Sequence, residues 1–112
     1  MLRRINRVVR ADDFRATVRQ GRRVSTRNAQ LYVVRQRELG PTRFGFIVSK
    51  AVGNSVTRNL VTRRLRSIGL DYVRSQPMGM DVVIRALPGS PGVSWATLQS
   101  EIFKGLERSI AP

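Results

Sequence analysis

The sequence contains no cysteine and no histidine. The absence of cysteine excludes a disulfide framework, a cysteine-ligated zinc site and a thiol nucleophile. The absence of histidine excludes histidine general acid–base catalysis and the triads that depend on it. Apolar runs are only a few residues long, so no segment is expected to cross a membrane. The basic start lacks the apolar region of a secretory signal, and we therefore expect a cytoplasmic protein.

Acidic residues are also scarce. Seven acids stand against 21 basic residues, which gives a net charge of +14, and 19 of the 21 basic residues are arginine. Arginine presents a planar fork of donors that matches phosphate oxygens, so the composition indicates a polyanionic partner, RNA or DNA. The acids are scattered except for Asp12 and Asp13, which are better explained as a helix start. A protein-borne, metal-dependent nuclease centre is therefore not expected.

The length of 112 residues, with 41% hydrophobic residues, predicts a single domain over 1–112. Residues 1–10 are predicted to form a basic N-terminal arm with little to bury. Asp12 is a candidate N-cap for a helix that stops at Gly21, and Ser94 is a candidate N-cap for the last helix. Strands are predicted over 22–25, 29–36, 43–49 and 81–87, with a further helix over 55–69. The order α-β-β-β-α-β-α predicts an α+β fold, a two-layer sandwich with about four strands covered by helices.

The helix over 55–69 carries the most informative pattern. On a helical wheel, one half is apolar (Val56, Leu60, Val61, Leu65 and Ile68), and the other half is polar and basic (Arg58, Asn59, Thr62, Arg63 and Arg66). No acid occurs between Ala51 and Leu70, so these arginines repel one another until an anion binds. Arg64 falls in the apolar half, where its stem is expected to reach an edge. The Gly-containing turn before the helix offers a helix N-terminus that can hold a phosphate.

These residues carry a family resemblance. The run from Arg43 through Ser49-Lys50 and Gly53-Asn54 to Arg58-Asn59, continued by Arg63-Arg64-Leu65-Arg66, resembles the signature of the bacterial ribonuclease P protein subunit. The resemblance extends to Asp13-Phe14, to Tyr32 and to the segment 81–85, and so covers nearly the whole chain. The sequence departs from the family pattern at Leu60 and Thr62, where basic residues are usual, and at Val18, where an aromatic residue is usual.

The resemblance implies a subunit of the ribonucleoprotein that removes the 5′ leader from precursor tRNA. It implies that the RNA subunit is the catalyst, with Mg²⁺ bound mainly by RNA, and that the protein binds both the catalytic RNA and the precursor tRNA. No obligate protein partner, organic cofactor or membrane is implied. It also implies a left-handed β-α-β crossover through the arginine-rich helix, against the strong right-handed default.

The site residues follow from this resemblance together with the residue chemistry. Aromatic faces stack bases of single strands, and flanking cations hold phosphates. The set expected to meet the catalytic RNA is Lys50, Gly53, Asn54, Arg58, Asn59, Arg63 and Arg66. The set expected to line a cleft for the leader is Phe14, Val18, Tyr32, Ser49, Lys50 and Arg85. No catalytic residue and no metal ligand is assigned to the protein, and Trp95, Phe103 and Leu106 are expected in the core.

Three other classes remain as alternatives. A structural RNA-binding protein of the ribosomal type has the same size and charge but needs no aromatic-lined groove for a transient strand. A nucleoid DNA-binding protein needs a helix-turn-helix or a symmetric dimer arm, and neither is visible in the sequence. An independent nuclease is disfavoured by the missing histidine and the sparse acids.

Overall fold

Three helices and four strands follow one another in the predicted order. The computed structural model describes residues 2–111. The elements are α1 (Ala11–Gln20), β1 (Arg22–Ser25), β2 (Ala29–Arg35), β3 (Arg43–Ile47), α2 (Ser55–Ser75), β4 (Met80–Ala86) and α3 (Trp95–Ile110). Short 3₁₀ turns occupy Arg4–Asn6, Lys50–Val52 and Ser90–Gly92. Within residues 2–111, no helix has the length and apolarity needed to span a membrane.

The four strands form one mixed sheet in the order β1-β2-β4-β3. The pairs β1–β2 and β2–β4 are antiparallel, whereas β3 and β4 are parallel. Because parallel neighbours need a crossover, α2 connects β3 to β4 across one face of the sheet. The predicted α+β fold is confirmed. The left-handed sense of this crossover stays a prediction.

One face of the sheet builds the main core. Side chains alternate along a strand, and Phe44, Val82 and Ile84 point from β3 and β4 into a cluster with α2 and α3. The helices contribute Val61, Leu65, Ile68, Leu98, Ile102 and Leu106, all fully buried. Trp95 and Phe103 pack against this cluster, so the core prediction for both residues and for Leu106 is confirmed.

Helices α2 and α3 begin where the sequence predicts. The side-chain oxygen of Asn54 accepts from the backbone N–H of Thr57 at 2.9 Å, and that of Ser94 accepts from Thr97 N–H at 3.1 Å. Helix α2 continues six residues past Gly69, to Ser75. Gly69 lies inside this helix and against the sheet, where a Cβ would stand 3.3 Å from the Phe44 ring.

Helix α1 begins differently from the prediction. Its N-cap is Arg10, and Asp12 lies inside the first turn without capping it, so the N-cap assignment of Asp12 was wrong. Asp12 and Asp13 still place negative charge at the positive end of the helix dipole. The helix does end at Gly21, where the backbone becomes extended (φ −71°, ψ 149°). A Cβ there would stand 2.5 Å from the Thr17 carbonyl oxygen and 3.0 Å from the backbone nitrogen of Val33, so this close approach requires glycine.

The N-terminal arm is not a free arm, and the prediction that it has little to bury was wrong. Leu2, Asn6 and Val8 are buried. The Val8 N–H donates to the Phe44 carbonyl at 2.8 Å, and the Asn6 amide donates to the Thr42 carbonyl at 2.9 Å. Residues 2–9 therefore pack along the outer edge of β3, because that edge strand offers backbone groups with no neighbouring strand.

Candidate nucleic-acid interface

The arginines of helix α2 lie beside the row of side chains that the helix packs against the sheet. The buried residues Val61, Leu65, Ile68 and Tyr72 centre at about 150° from Val56 on the helical wheel. Val56 and Leu60 therefore lie away from the sheet, with 76% and 38% of their surface exposed. The apolar half of the helical wheel is therefore wider than the buried stripe, because the sheet covers a narrower arc of α2 than the apolar residues occupy.

The predicted basic residues share one side of α2. Arg58 and Arg66 are half-buried at the edge of the core, whereas Asn59 and Arg63 are exposed. The Thr62 hydroxyl donates to the Arg58 carbonyl at 2.8 Å, which keeps its side chain against the helix. The Arg64 side chain extends away from this side of α2. Its guanidinium donates to the Val93 carbonyl at 3.0 Å, which explains its place in the apolar half of the wheel.

The turn before α2 positions the helix entrance. Gly53 has a φ of +154°, and a Cβ there would stand 2.9 Å from Thr57 Cγ2, so this position requires glycine. Asn54 follows as the N-cap. Ser49 and Lys50, at the end of β3, are exposed on the approach to this turn. The structure therefore brings Lys50, Gly53 and Asn54 to the first turn of the arginine-bearing helix.

The second face of the sheet carries the predicted leader residues in register. Tyr32 pairs with Val83, and Val83 pairs with Gly45, so these three form one row across β2, β4 and β3. The next row consists of Gln30, Arg85 and Ile47. The Tyr32 hydroxyl donates to the Gln30 side chain at 3.1 Å and so links the two rows.

Helix α1 crosses this second face and covers the first of the two rows. A Cβ on Gly45 would lie 2.5 Å from Phe14 Cε1, so the Phe14 ring rests on the bare backbone of β3. The other end of the helix meets β2 at Gly21. Val83 is consequently buried, while Arg85 in the uncovered row is exposed. We refer to the strip of sheet between α1 and the exposed Arg85 as the cleft, with α1 as its wall and the row of Arg85 as its floor.

The leader residues differ in how much surface this cleft leaves open. Phe14 and Val18 are half-buried, one helical turn apart on α1. Tyr32 is only 8% exposed, so most of its ring is covered between α1 and the sheet. Arg85 and Ser49 are exposed. Contact of these residues with a leader stays a prediction, and base stacking on Tyr32 needs its ring to become more exposed.

An ion-pair network fixes α1 over the sheet. Arg43 on β3 donates twice to Asp81 on β4, at 2.9 and 2.8 Å, and lies 3.4 Å from Asp13 on α1. Hydrogen bonding to the Asp81 carboxylate raises the pKa of Arg43 above its usual value. Gln36 donates to the same carboxylate at 2.9 Å. Because Asp13 precedes Phe14, this network sets where the Phe14 ring meets the sheet.

Two basic residues at these surfaces were missed from the sequence. Arg23 on β1 pairs with Tyr32, which places its exposed side chain on the second face beside the row of Tyr32. Arg7 in the N-terminal segment lines a pocket with Phe14 and Arg66. The alternation of residues 22–25 carries the only signal for Arg23, and no pattern in the sequence places Arg7 beside α2.

Few of the cations are neutralised within the protein. In residues 2–111, carboxylates form salt bridges with Arg15, Arg43 and Arg74. The predicted site residues Arg58, Arg63, Arg66 and Arg85 have no such partner in that part of the chain, so their charge is available to an anion. Residues 2–111 contain no group of three or more acidic, histidine or cysteine side chains that could hold a metal ion.

Comparisons with known proteins identify the family of this chain. A family model described as Ribonuclease P matches residues 2–109. The ribonuclease P protein component of Clavibacter michiganensis is 46% identical over 110 residues, which cover 98% of this chain and 97% of that protein. The protein component of Rhodococcus opacus is 44% identical over 96% of this chain and 91% of that protein.

Solved structures show the same fold at lower identity. The RNase P protein of Staphylococcus aureus superimposes with a TM-score of 0.82 at 24% identity, over 94% of this chain and 95% of that one. The RNase P protein of Thermotoga maritima superimposes with a TM-score of 0.76 at 20% identity, over 91% of this chain and 96% of that one. The match to the family model and the near full-length relatives establish the family: this chain belongs to the ribonuclease P protein component family.

Proposed function

We propose that this chain binds the catalytic RNA of ribonuclease P through α2 and the 5′ leader of precursor tRNA through the cleft under α1. The observation that carries this proposal is the cleft itself, where α1 leaves the row of Arg85 open beside Phe14. A ribosomal-type RNA-binding protein needs the cationic helix but has no use for a second, aromatic-lined groove for a transient strand. Family membership supports participation in an endoribonuclease complex that processes tRNA.

The arginine side of α2 suits a structured RNA. Arg58, Arg63 and Arg66 are spaced along one side of a rigid helix, without a carboxylate among them. Arginine forks match pairs of phosphate oxygens, and fixed spacing on a helix matches successive phosphates better than a mobile arm does. Lys50 and the capped N-terminus of α2 extend this surface toward the end of β3.

The cleft suits an extended single strand. Its wall offers the Phe14 ring and Val18, and its floor offers Arg85 with Ser49 and Lys50 at one end. Bases can stack on an aromatic face regardless of sequence, while cations track the backbone. Such a groove binds leaders of different sequence, which a subunit that serves many precursors requires.

The chemistry of cleavage is assigned to the RNA subunit. Phosphodiester hydrolysis requires metal ions, or an acid and a base, placed at the scissile bond. The carboxylates on the second face, Asp13 and Asp81, are engaged by Arg43. We assign Mg²⁺ to RNA phosphates in the assembled holoenzyme, and the protein contributes substrate binding and charge neutralisation.

Cleavage of a 5′-labelled precursor tRNA by the RNA subunit from the same cell tests this function. At low Mg²⁺, addition of the protein is expected to increase leader removal strongly, and the protein alone is expected to cleave nothing. Absence of any gain, together with tight binding to other structured RNA, would support the ribosomal-type alternative instead.

Two sets of variants separate the two surfaces. Replacing Arg63 and Arg66 with alanine should weaken binding to the catalytic RNA and reduce the salt dependence, by about 0.9 in log–log slope per lost phosphate contact. The exposed pair Arg35 and Arg37 is the charge-matched control. An unchanged slope for the first pair would remove α2 from the RNA contact.

The leader cleft is tested by Phe14→Ala. This variant should weaken binding of precursor tRNA to the holoenzyme and leave binding of mature tRNA nearly unchanged, because only the precursor carries a leader. Equal losses for the two ligands would instead indicate damage to the packing of α1.

A further inference from the structure

A pocket of about 260 Å³ lies where the N-terminal segment, α1, β3 and α2 meet. Its polar lining comes from Arg7, Thr62 and Arg66, and its aromatic lining includes Phe14 and Phe46. The segment 2–9 is held in place by the backbone hydrogen bond from Val8 to Phe44 and by Asn6. Arg7 is therefore presented on a fixed backbone, with α2 forming the opposite wall.

The two arginines of this pocket have unused donors. The Nε atoms of Arg7 and of Arg66 are both buried, and neither has a hydrogen-bond partner within residues 2–111. Neither guanidinium forms a salt bridge in that part of the chain. The residues lining this pocket include these two arginines and no carboxylate, so the pocket favours an anion with several acceptor oxygens.

The surroundings of Arg7 strengthen the positive potential. A second pocket, of about 450 Å³, lies on the other side of Arg7 and is lined by Arg4, Arg10 and Arg43. Asp13 is the one carboxylate lining it, and Asp13 is already paired with Arg43. Clefts lined by one sign of charge focus the field and concentrate counter-ions.

We propose that the pocket between Arg7 and Arg66 binds one phosphodiester group of RNA, with both guanidinium groups donating to its oxygens. This inference rests on the proposed function and assigns Arg7, outside the predicted site, as an RNA-binding residue. The pocket lies between the arginine side of α2 and the Phe14 ring. The bound phosphate therefore belongs to the catalytic RNA or to the leader, and the same chemistry serves both.

A double-mutant cycle tests the shared phosphate. Arg7→Gln, Arg66→Gln and the double variant are compared for affinity to the catalytic RNA alone, and for affinity of the holoenzyme to precursor tRNA with and without its leader. Each single change should weaken binding about ten-fold or more, because a hydrogen bond between charged groups is lost. The double variant should lose much less than the product of the two single losses, since either change empties the same site.

The ligand used shows the source of the phosphate. Losses already present with the catalytic RNA alone assign the phosphate to that RNA, whereas losses seen only with leader-bearing precursor assign it to the leader. Arg3→Gln is the matched control, because Arg3 belongs to the same segment, is exposed and lines neither pocket. A loss for Arg7→Gln no greater than for Arg3→Gln, or fully multiplicative single losses, would overturn the proposal.

Melting temperature separates binding from folding. Because the Nε atom of Arg7 has no partner within residues 2–111, Arg7→Gln should not lower the melting temperature of the free protein. Arg7→Lys keeps the charge but loses the planar fork, so it should recover only part of the affinity. Full recovery by lysine would show that a diffuse charge suffices and would refute the site. If wild-type protein fails to stimulate cleavage while the cycle remains non-additive, the proposed function falls and the phosphate site stands.

Discussion

Gly45 is the position at which one added methyl group should disturb the cleft most directly. Its Cα lies under the Phe14 ring, and a Cβ there would stand 2.5 and 2.6 Å from Phe14 Cε1 and Cζ. Carbon atoms pack at about 3.5 Å or more, so the ring must withdraw by about 1 Å in Gly45→Ala. The strand cannot yield instead toward Val8, whose Cβ would be only 3.2 Å away.

The expected cost follows from this overlap. Overpacking of a well-filled site costs about 1–3 kcal/mol, and for a domain of this size about 1 kcal/mol corresponds to roughly 4 °C. We therefore expect Gly45→Ala to lower the melting temperature by about 4 to 12 °C. Gly92→Ala is the matched control, because a Cβ at Gly92 meets nothing within 4 Å.

A double-mutant cycle isolates the ring as the cause. Leucine at position 14 lacks the outer ring atoms, so Gly45→Ala should cost little in a Phe14→Leu background. Calorimetry of the four proteins gives the coupling, and binding of precursor against mature tRNA shows whether leader discrimination falls in parallel. If the effects of the two substitutions on the free energy of unfolding add to within about 0.5 kcal/mol, the contact between Phe14 and Gly45 does not govern the cleft.

Two further predictions concern α2. Burial, with the nearby Glu107 carboxylate, raises the pKa of Tyr72 above its usual value, so the unfolded chain loses this proton first as pH rises. Stability should therefore fall above about pH 10 more steeply for the wild-type protein than for Tyr72→Phe. Urea unfolding midpoints of both proteins at about pH 9 and about pH 11 measure this difference. An equal decrease in the two midpoints would contradict the burial argument. Leu60→Arg adds a basic residue at a position where the family resemblance implies one. Because Leu60 is 38% exposed, the change should leave stability nearly unchanged, tighten binding to the catalytic RNA and steepen its salt dependence by about 0.9 in slope. A salt slope equal to that of the wild-type protein would show that this part of α2 does not face phosphate.

Much of the fold could be predicted because its signals are local. Alternation in residues 43–49 places Phe44 and Phe46 on one face of a strand. Asn54 and Ser94 mark helix starts by a hydrogen bond that spans three residues. Helix α2 was predicted to stop too early because glycine usually weakens a helix. Gly69 is present for a different reason, namely its close approach to Phe44, and a contact of that kind has no local signature.

The candidate site divides in the same way. The arginines of α2 are visible in the sequence because helical periodicity alone places them on one side. The surroundings of Phe14 are not visible, because they depend on the strand register that brings Gly45, Val83 and Tyr32 into one row. Val56 and Leu60 show the limit of periodicity, since a wheel reports which side is apolar but not how wide an arc the sheet covers.

By itself, the sequence determined the positive charge, the absence of a histidine- or cysteine-based catalytic centre, the order of elements and the basic side of α2. These properties depend on composition or on residues a few positions apart. The tertiary structure alone decided that residues 2–9 pack on β3, that α1 crosses the second face of the sheet and that Arg7 meets Arg66 across a pocket. Such contacts join residues tens of positions apart, and they form only when strand pairing and side-chain packing select one arrangement of the whole chain.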